Sequence, residues 1–306
     1  MPEPPPLNVV TGAFSFTGKY IARRLLVRGE RVRTLTGHPD RDHPFADNVD
    51  IFPYRFDDSG ALEAAFEGAC IFYNTYWIRF ERGEATFEQT LERTGQLIDA
   101  ARKAGVRRMV HISSVHADAS SSLAYFRAKG EAEAMVRESG LSWTILRPTI
   151  VFGQESVFFN NIVWMLRRFP IFTVPGSGDY RVQPVFVGDV AEMAVALGDG
   201  EGQTEMTAAG AEVFTFDELL ELLAKRAGSR PRLLHVRPER ALRMVAMVGG
   251  MVDDVLLTRD EIDGLARNLL TSEEPATGRT RFSEWLERHG NGFGDSYLSE
   301  LQLHYR

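Results

Sequence analysis

Tyr125 and Lys129 stand four apart in the run Tyr125-Phe126-Arg127-Ala128-Lys129, so on a helix they share one face. A free phenol ionises near pH ~10, and a cation within reach lowers that by about 1–3 units, toward acid–base work near neutrality. The chain has 8 tyrosines, and its lysines are Lys19, Lys103, Lys129 and Lys225, so such a pair is uncommon by chance. Ser113-Ser114 closes a β-branched run eleven residues before the tyrosine, where the Ser114 hydroxyl could hold a substrate oxygen beside the phenol. The plainer alternative is an amphipathic helix with a surface lysine and a serine that merely ends a strand.

A second cluster lies near the start, in Thr11-Gly12-Ala13-Phe14-Ser15-Phe16-Thr17-Gly18. A dinucleotide site needs a tight turn, close backbone approach to the pyrophosphate and a helix N-terminus aimed at it. Gly12 and Gly18 occupy the first and last positions of such a turn, with Phe14, Ser15, Phe16 and Thr17 between them. Ser15 stands where a middle glycine is usual. A side chain at Gly18 is expected to fill the space of the pyrophosphate. A purely structural turn is the competing reading.

These groups need strands and helices in strict alternation to hold them, and the first half of the chain reads that way. Leu7–Thr11 is a strand, Thr17–Arg28 a helix stopped by Gly29, and Arg31–Thr36 a second strand. A weak strand at Asp50–Phe56 precedes a short helix capped by Ser59. Cys70–Thr75 is strand four, followed by a long helix carrying Phe87, Leu91, Leu97, Ile98 and Ala101 up to Gly105. Arg108–Ser113, Leu123–Ser139 and Ser142–Leu146 read as strand, helix, strand. The class predicted is α/β, a doubly wound parallel (Rossmann) sheet with a small C-terminal α+β lobe. Residues 7–150 plus about 184–208 form the dinucleotide-binding domain, and 151–183 with 209–306 the substrate-facing lobe. In that lobe Phe158–Arg168, Phe216–Ala227 and Glu239–Val252 read as helices, while Val185–Val187 is a short strand before a helix from Asp189, its expected N-cap.

Together the glycine turn, His111-Ile112-Ser113-Ser114, the Y-x-x-x-K pair and Leu146-Arg147-Pro148-Thr149-Ile150-Val151-Phe152-Gly153 resemble the short-chain dehydrogenase/reductase superfamily, in its extended or atypical branch. The later run from Gly176 to Ala191 is similar to that branch's return segment. The likeness covers about residues 7–225 and is nearest to NmrA-like proteins, NAD-dependent epimerase/dehydratases and the nucleotide-binding accessory subunit of respiratory complex I. The resemblance implies Tyr125 as acid/base, Lys129 as the group that binds the nicotinamide ribose and lowers the phenol pKa, and Ser114 as the group that orients substrate. It implies Pro148 beside the nicotinamide, Asn74 and Thr75 beneath the cofactor, and Phe56 among the cofactor contacts. Arg55 falls where the branch often has an aspartate that meets adenine. Strand two ends Thr36-Gly37-His38-Pro39-Asp40-Arg41, without the acid that NAD-preferring members usually carry there. His38 and Arg41 could meet a 2′-phosphate, which favours NADP and leaves NAD open.

Composition bounds the remaining classes. The chain has 306 residues, 44% hydrophobic and 25% charged, as a globular protein does. A net charge of −7 argues against a nucleic-acid partner. The opening Met1-Pro2-Glu3-Pro4-Pro5-Pro6 offers no apolar signal region, and the apolar stretch Met244–Val252 is too short to span a bilayer, so no integral span and a cytoplasmic location are expected. The single Cys70 reads as a buried thiol, His111 as a core histidine, and Asp57-Asp58 and Asp253-Asp254 as caps or solvated groups. No closely spaced His/Cys cluster suggests a metal site. Trp77 and Arg79 fit either a substrate pocket or the core, and Arg167, Arg168 and Arg181 either an anionic substrate or ordinary solvation. Two functions compete. One is NAD(P)-dependent oxidoreduction or epimerisation of a carbonyl or alcohol through Ser114, Tyr125 and Lys129. The other is a non-catalytic NAD(P)-binding regulator or assembly subunit. The partner expected is a small-molecule substrate, and a homodimer stays open.

Overall fold

The computed structural model describes residues 4–43 and 45–305, so the proline-rich opening is described from Pro4 and the first three residues lie outside it. The chain divides into two compact units. One runs up to Pro148 and regains Val187–Ala208; the other comprises Thr149–Phe186 and the chain from Ala209.

The first unit is a seven-stranded parallel sheet. In chain order its elements are β1 (Leu7–Thr11), α1 (Phe16–Val27), β2 (Arg31–Thr36), β3 (Val49–Pro53), α2 (Ser59–Ala64), β4 (Ala69–Asn74), α3 (Phe87–Lys103), β5 (Arg108–Ile112), α4 (Ala124–Arg137) and β6 (Ser142–Pro148). After the excursion to the other unit come α6 (Val187–Gly198) and β11 (Gln203–Ala208). The strand order β11-β6-β5-β4-β1-β2-β3 reverses direction between β1 and β4, the switch point at which open α/β sheets bind ligands. Strands β1 and β5 are buried along their whole length, as strands covered on both faces must be. Leu97, Ile98 and Ala101 of α3 pack with Val9, Phe72, Met109 and Ile145 of the sheet in one apolar cluster.

The second unit begins with β7 (Ile150–Phe152), α5 (Val157–Arg168), β8 (Ile171–Pro175), β9 (Arg181–Val182) and β10 (Pro184–Phe186). It continues with β12 (Phe214–Thr215), α7 (Phe216–Ala227), β13 (Arg232–Val236), α8 (Pro238–Val252), α9 (Arg259–Ala266), α10 (Phe282–His289) and α11 (Glu300–His304). Its short strands pair as β10 with β7, β12 with β9 and β13 with β8. Phe152, Phe159, Phe216, Phe282, Trp285 and Phe293 build its core.

Three local expectations are corrected. The cap of α2 is Asp58, whose carboxylate accepts from Ala61 N, and not Ser59. Helix α6 begins at Val187, so Asp189 lies inside its first turn instead of capping it, where its charge still meets the positive end of the helix dipole. Cys70 is half-buried, since only alternate positions of β4 face the inner layer at its start. Asp254 is a structural acceptor for Tyr297 Oη and for the Val255 and Glu300 amides.

Candidate functional site

The glycine turn leaves β1 with Gly12 at φ +61°, a conformation that L side chains rarely adopt. Gly12 N donates to Leu35 O at 2.8 Å and Ala13 N to Thr34 Oγ1 at 2.9 Å, which ties the turn to β2. Ser15 has an ordinary φ of −85°, and its hydroxyl donates to Gly12 O at 2.6 Å. The departure from glycine is thereby absorbed inside the turn. Because that hydroxyl does not cap α1, and no acidic residue lies in its first turn, the first amides and the positive end of the dipole stay open to an anion. Gly18 has a packing role that the motif does not reveal. A Cβ there would run into the Gly12 carbonyl, so packing of the helix on the turn by itself requires glycine.

The adjoining ends of β1 and β4 are stapled together. Thr11 Oγ1 accepts from Thr75 N at 2.7 Å and from Tyr76 N at 3.1 Å, while Thr75 Oγ1 donates to Thr11 O at 2.6 Å. Asn74, wholly buried, accepts through Oδ1 from Tyr76 N and Thr11 Oγ1, so its amide faces His111 Nδ1 at 3.1 Å. Burial, and secondarily the charge of Lys129, push the His111 pKa down to about 3. The neutral ring then carries its proton on Nε2, a buried atom with no partner.

Helix α4 brings the phenol and the ammonium to this edge. Lys129 is only 3% exposed, and its Nζ donates to Ile112 O, the last residue of β5, at 3.2 Å. The same Nζ sits 4.0 Å from the centre of the Trp77 ring. Tyr125 is half-buried and meets Trp77 edge-on at 6.3 Å and 90°, with Phe87 at 6.2 Å and Phe126 at 5.3 Å. Trp77 therefore touches both members of the pair. Burial pulls the Lys129 pKa down to about 7, with the charge of Glu133 acting the other way. Of the two serines, Ser113 donates to Glu133 Oε1 at 2.7 Å, whereas the Ser114 hydroxyl is enclosed and unpartnered. Gly130 lets the chain after β5 lie on α4 beside Lys129, since a Cβ there would collide with the Asp118–Ala119 backbone.

The remaining expected residues flank this centre. His38 is half-buried and Arg41 exposed in a turn where His38 N donates to Thr36 Oγ1 at 3.1 Å and Arg41 N to His38 O at 3.3 Å. Phe14 stacks on His43 at 4.7 Å, and Phe45 meets both rings. Phe56 stacks on Tyr54 at 5.0 Å under the Arg93 guanidinium. Pro148 is buried at the end of β6, and its carbonyl accepts from Val115 N at 3.0 Å. In the other unit, Arg167 pairs with the Asp295 carboxylate and Arg168 donates to Asp295 O, which accounts for both arginines structurally. Sequence reasoning missed His43 and Phe45, which no motif marks, and the placement of Trp77 over Lys129, which only folding decides. Among the described residues, no group of three or more His, Cys, Asp or Glu is placed to hold a metal ion.

Residues 12–157 match the family model described as NAD(P)H-binding. That match spans just under half of the chain and falls almost wholly within the first unit. The chain is 27% identical over 284 residues to the mitochondrial NADH dehydrogenase [ubiquinone] 1 alpha subcomplex subunit 9 of Arabidopsis thaliana, covering 86% of this chain and 70% of that protein. It is 26% identical over 243 residues to the ceramide reductase of Caulobacter vibrioides, covering 78% and 76%. Its fold is that of the Citrobacter sp. triphenylmethane reductase complexed with NADP(H), at a TM-score of 0.76 and 17% identity over 92% of this chain and 99% of that one. The residues at the carboxyl edge of the first unit fit a dinucleotide. Gly12 is left-handed, α1 opens uncapped without an acid, and an orphan hydroxyl and a buried ammonium lie at the end of β5.

Proposed function

We propose that this protein reduces a carbonyl substrate, or oxidises the corresponding alcohol, with NADP(H) bound at the carboxyl edge of the first unit; NAD(H) is the alternative cofactor. The observation that carries this reading is the convergence at the end of β5, where Lys129 binds Ile112 O, Ser114 keeps an unused hydroxyl and Trp77 contacts both Lys129 and Tyr125. The backbone from Gly12 to Gly18 and the α1 N-terminus would hold the pyrophosphate, His38 and Arg41 a 2′-phosphate, and Asn74, Thr75, Phe56 and Pro148 the rest of the nucleotide. Bound there, the nicotinamide supplies the hydride. Tyr125 passes its phenolic proton to the substrate oxygen, the Ser114 hydroxyl donates to the same oxygen, and the charged form of Lys129 favours the phenolate left behind.

Tyr125→Phe tests the assignment. Nucleotide affinity by calorimetry should be unchanged, while cofactor oxidation against a panel of carbonyl compounds falls about 10²–10⁴-fold. Full turnover in the variant would remove the phenol from the reaction. Separate titrations with NADP and NAD decide the cofactor, and equal or NAD-favouring affinity overturns the preference. A second reading, a nucleotide-stabilised regulator or assembly subunit, is favoured by the likeness to subunit 9 of the mitochondrial NADH dehydrogenase. Tight nucleotide binding with no turnover on any carbonyl would support it.

A further inference from the structure

The apolar stretch Met244–Val252 is absorbed by neither reading above, and it lies in α8 of the second unit. Helix α8 buries Ala241 and Gly249 on its inner side. A helix facing water normally carries polar residues on its outer stripe. Here that stripe, spaced i, i+4, i+7, i+11, reads Arg240, Met244, Met247 and Met251, and the methionines are 39%, 71% and 76% exposed. Arg230, Arg232, Arg237, Arg240 and Arg243 are all exposed in the same segment. Among the described residues none of these five makes an ion pair, whereas the single acid among them, Glu239, is met by Arg259 at 3.7 Å. A strongly basic, methionine-faced segment thus sits on a chain of net charge −7.

We propose that this face docks the protein on an anionic lipid surface. The 15 residues of α8 lie along the membrane plane, Met244, Met247 and Met251 enter the acyl boundary, and the arginines meet lipid phosphates. Unbranched methionine side chains adapt to an irregular apolar surface, which suits a fluid boundary. A second copy fits the face less well. An isologous dimer would set this patch against itself and bring the arginine cluster against its own like charge. Docking of this kind requires no spanning segment, and no described helix is long and apolar enough to cross a membrane. The proposal is independent of nucleotide binding.

The full-length protein is to be sedimented with vesicles of phosphatidylcholine alone and of phosphatidylcholine mixed with phosphatidylglycerol. Binding should require phosphatidylglycerol and weaken as salt rises. Met247→Glu with Met251→Glu should abolish it, and Arg240→Gln with Arg243→Gln should weaken it roughly thirtyfold at low salt. All four positions are exposed, so thermal melts should match the parent and exclude misfolding as the cause. Wild-type protein that stays in the supernatant with phosphatidylglycerol vesicles at low salt overturns the proposal. So does undiminished binding of the Met247→Glu/Met251→Glu variant. A dimer in light scattering that Met247→Glu dissolves would give the face to a second copy instead, and that too overturns it.

Discussion

Lys129 makes its buried hydrogen bond to a carbonyl and rests on an indole face, so its charge is held in apolar surroundings without a hydrogen-bonded carboxylate. Burial lowers its pKa from 10.5 to about 7. The sign of the consequence is definite. Below pH ~7 the lysine is charged in both folded and unfolded chains, and the folded state carries the full cost. Between about pH 7 and 10.5 the unfolded chain holds the proton that the folded chain has lost, so stability rises with pH there. Lys129→Met should therefore raise stability at pH 6 by about 1–2 kcal/mol, flatten that rise, and abolish turnover. Urea unfolding of parent and variant at a series of pH values checks this. A variant less stable than the parent at pH 6 would contradict the account. The same titration predicts that any step using the charged ammonium declines above pH ~7.

At the scale of elements, the turn between β1 and α1 is held by backbone contacts that a motif does not reveal. A Cβ at Gly18 strikes the Gly12 carbonyl, so Gly18→Ala should cost about 1–3 kcal/mol of stability and weaken nucleotide binding together. Ser15→Gly removes only the hydroxyl bond to Gly12 O and restores the usual glycine, so its melting temperature should fall by only a few degrees. Calorimetric titration and thermal melts on the two variants separate the roles. Gly18→Ala with unchanged stability but weakened nucleotide binding would leave ligand space as the reason for glycine there.

At the scale of the molecule, the first unit is discontinuous. Its sheet is completed by β11 against β6, and α6 packs on α1, yet both come from residues after the excursion to the second unit. Buried Arg108 records this dependence. Its guanidinium donates to Leu197 O at 2.8 Å and to Gly202 O at 2.9 Å, both in the returning segment. A fragment ending at residue 157, the limit of the family match, keeps only the Ser142 and Thr144 hydroxyls for Arg108 and loses the edge strand β11 and the helix α6 that covers α1 and β5. It should show no cooperative thermal transition by circular dichroism. A sharp melt would mean that the returning segment is dispensable.

The order of strands and helices up to Pro148, the glycine turn and the one-face spacing of Tyr125 and Lys129 were legible in the sequence, because each depends on periodicity or on neighbours a few residues away. Other features depend on groups far apart in the chain that only folding brings together. Trp77 lies 52 positions before Lys129 and yet covers its ammonium. Ser113 is claimed by Glu133 while Ser114 is left open, a choice that adjacent identical residues cannot announce. Gly18 is read as ligand space from a motif, and the packing that also demands glycine there is visible only in the fold, since the atom it avoids belongs to Gly12 across the turn. Met244–Val252 declared its apolar character to the sequence, but only the packing of α8 decided which of its methionines face outward.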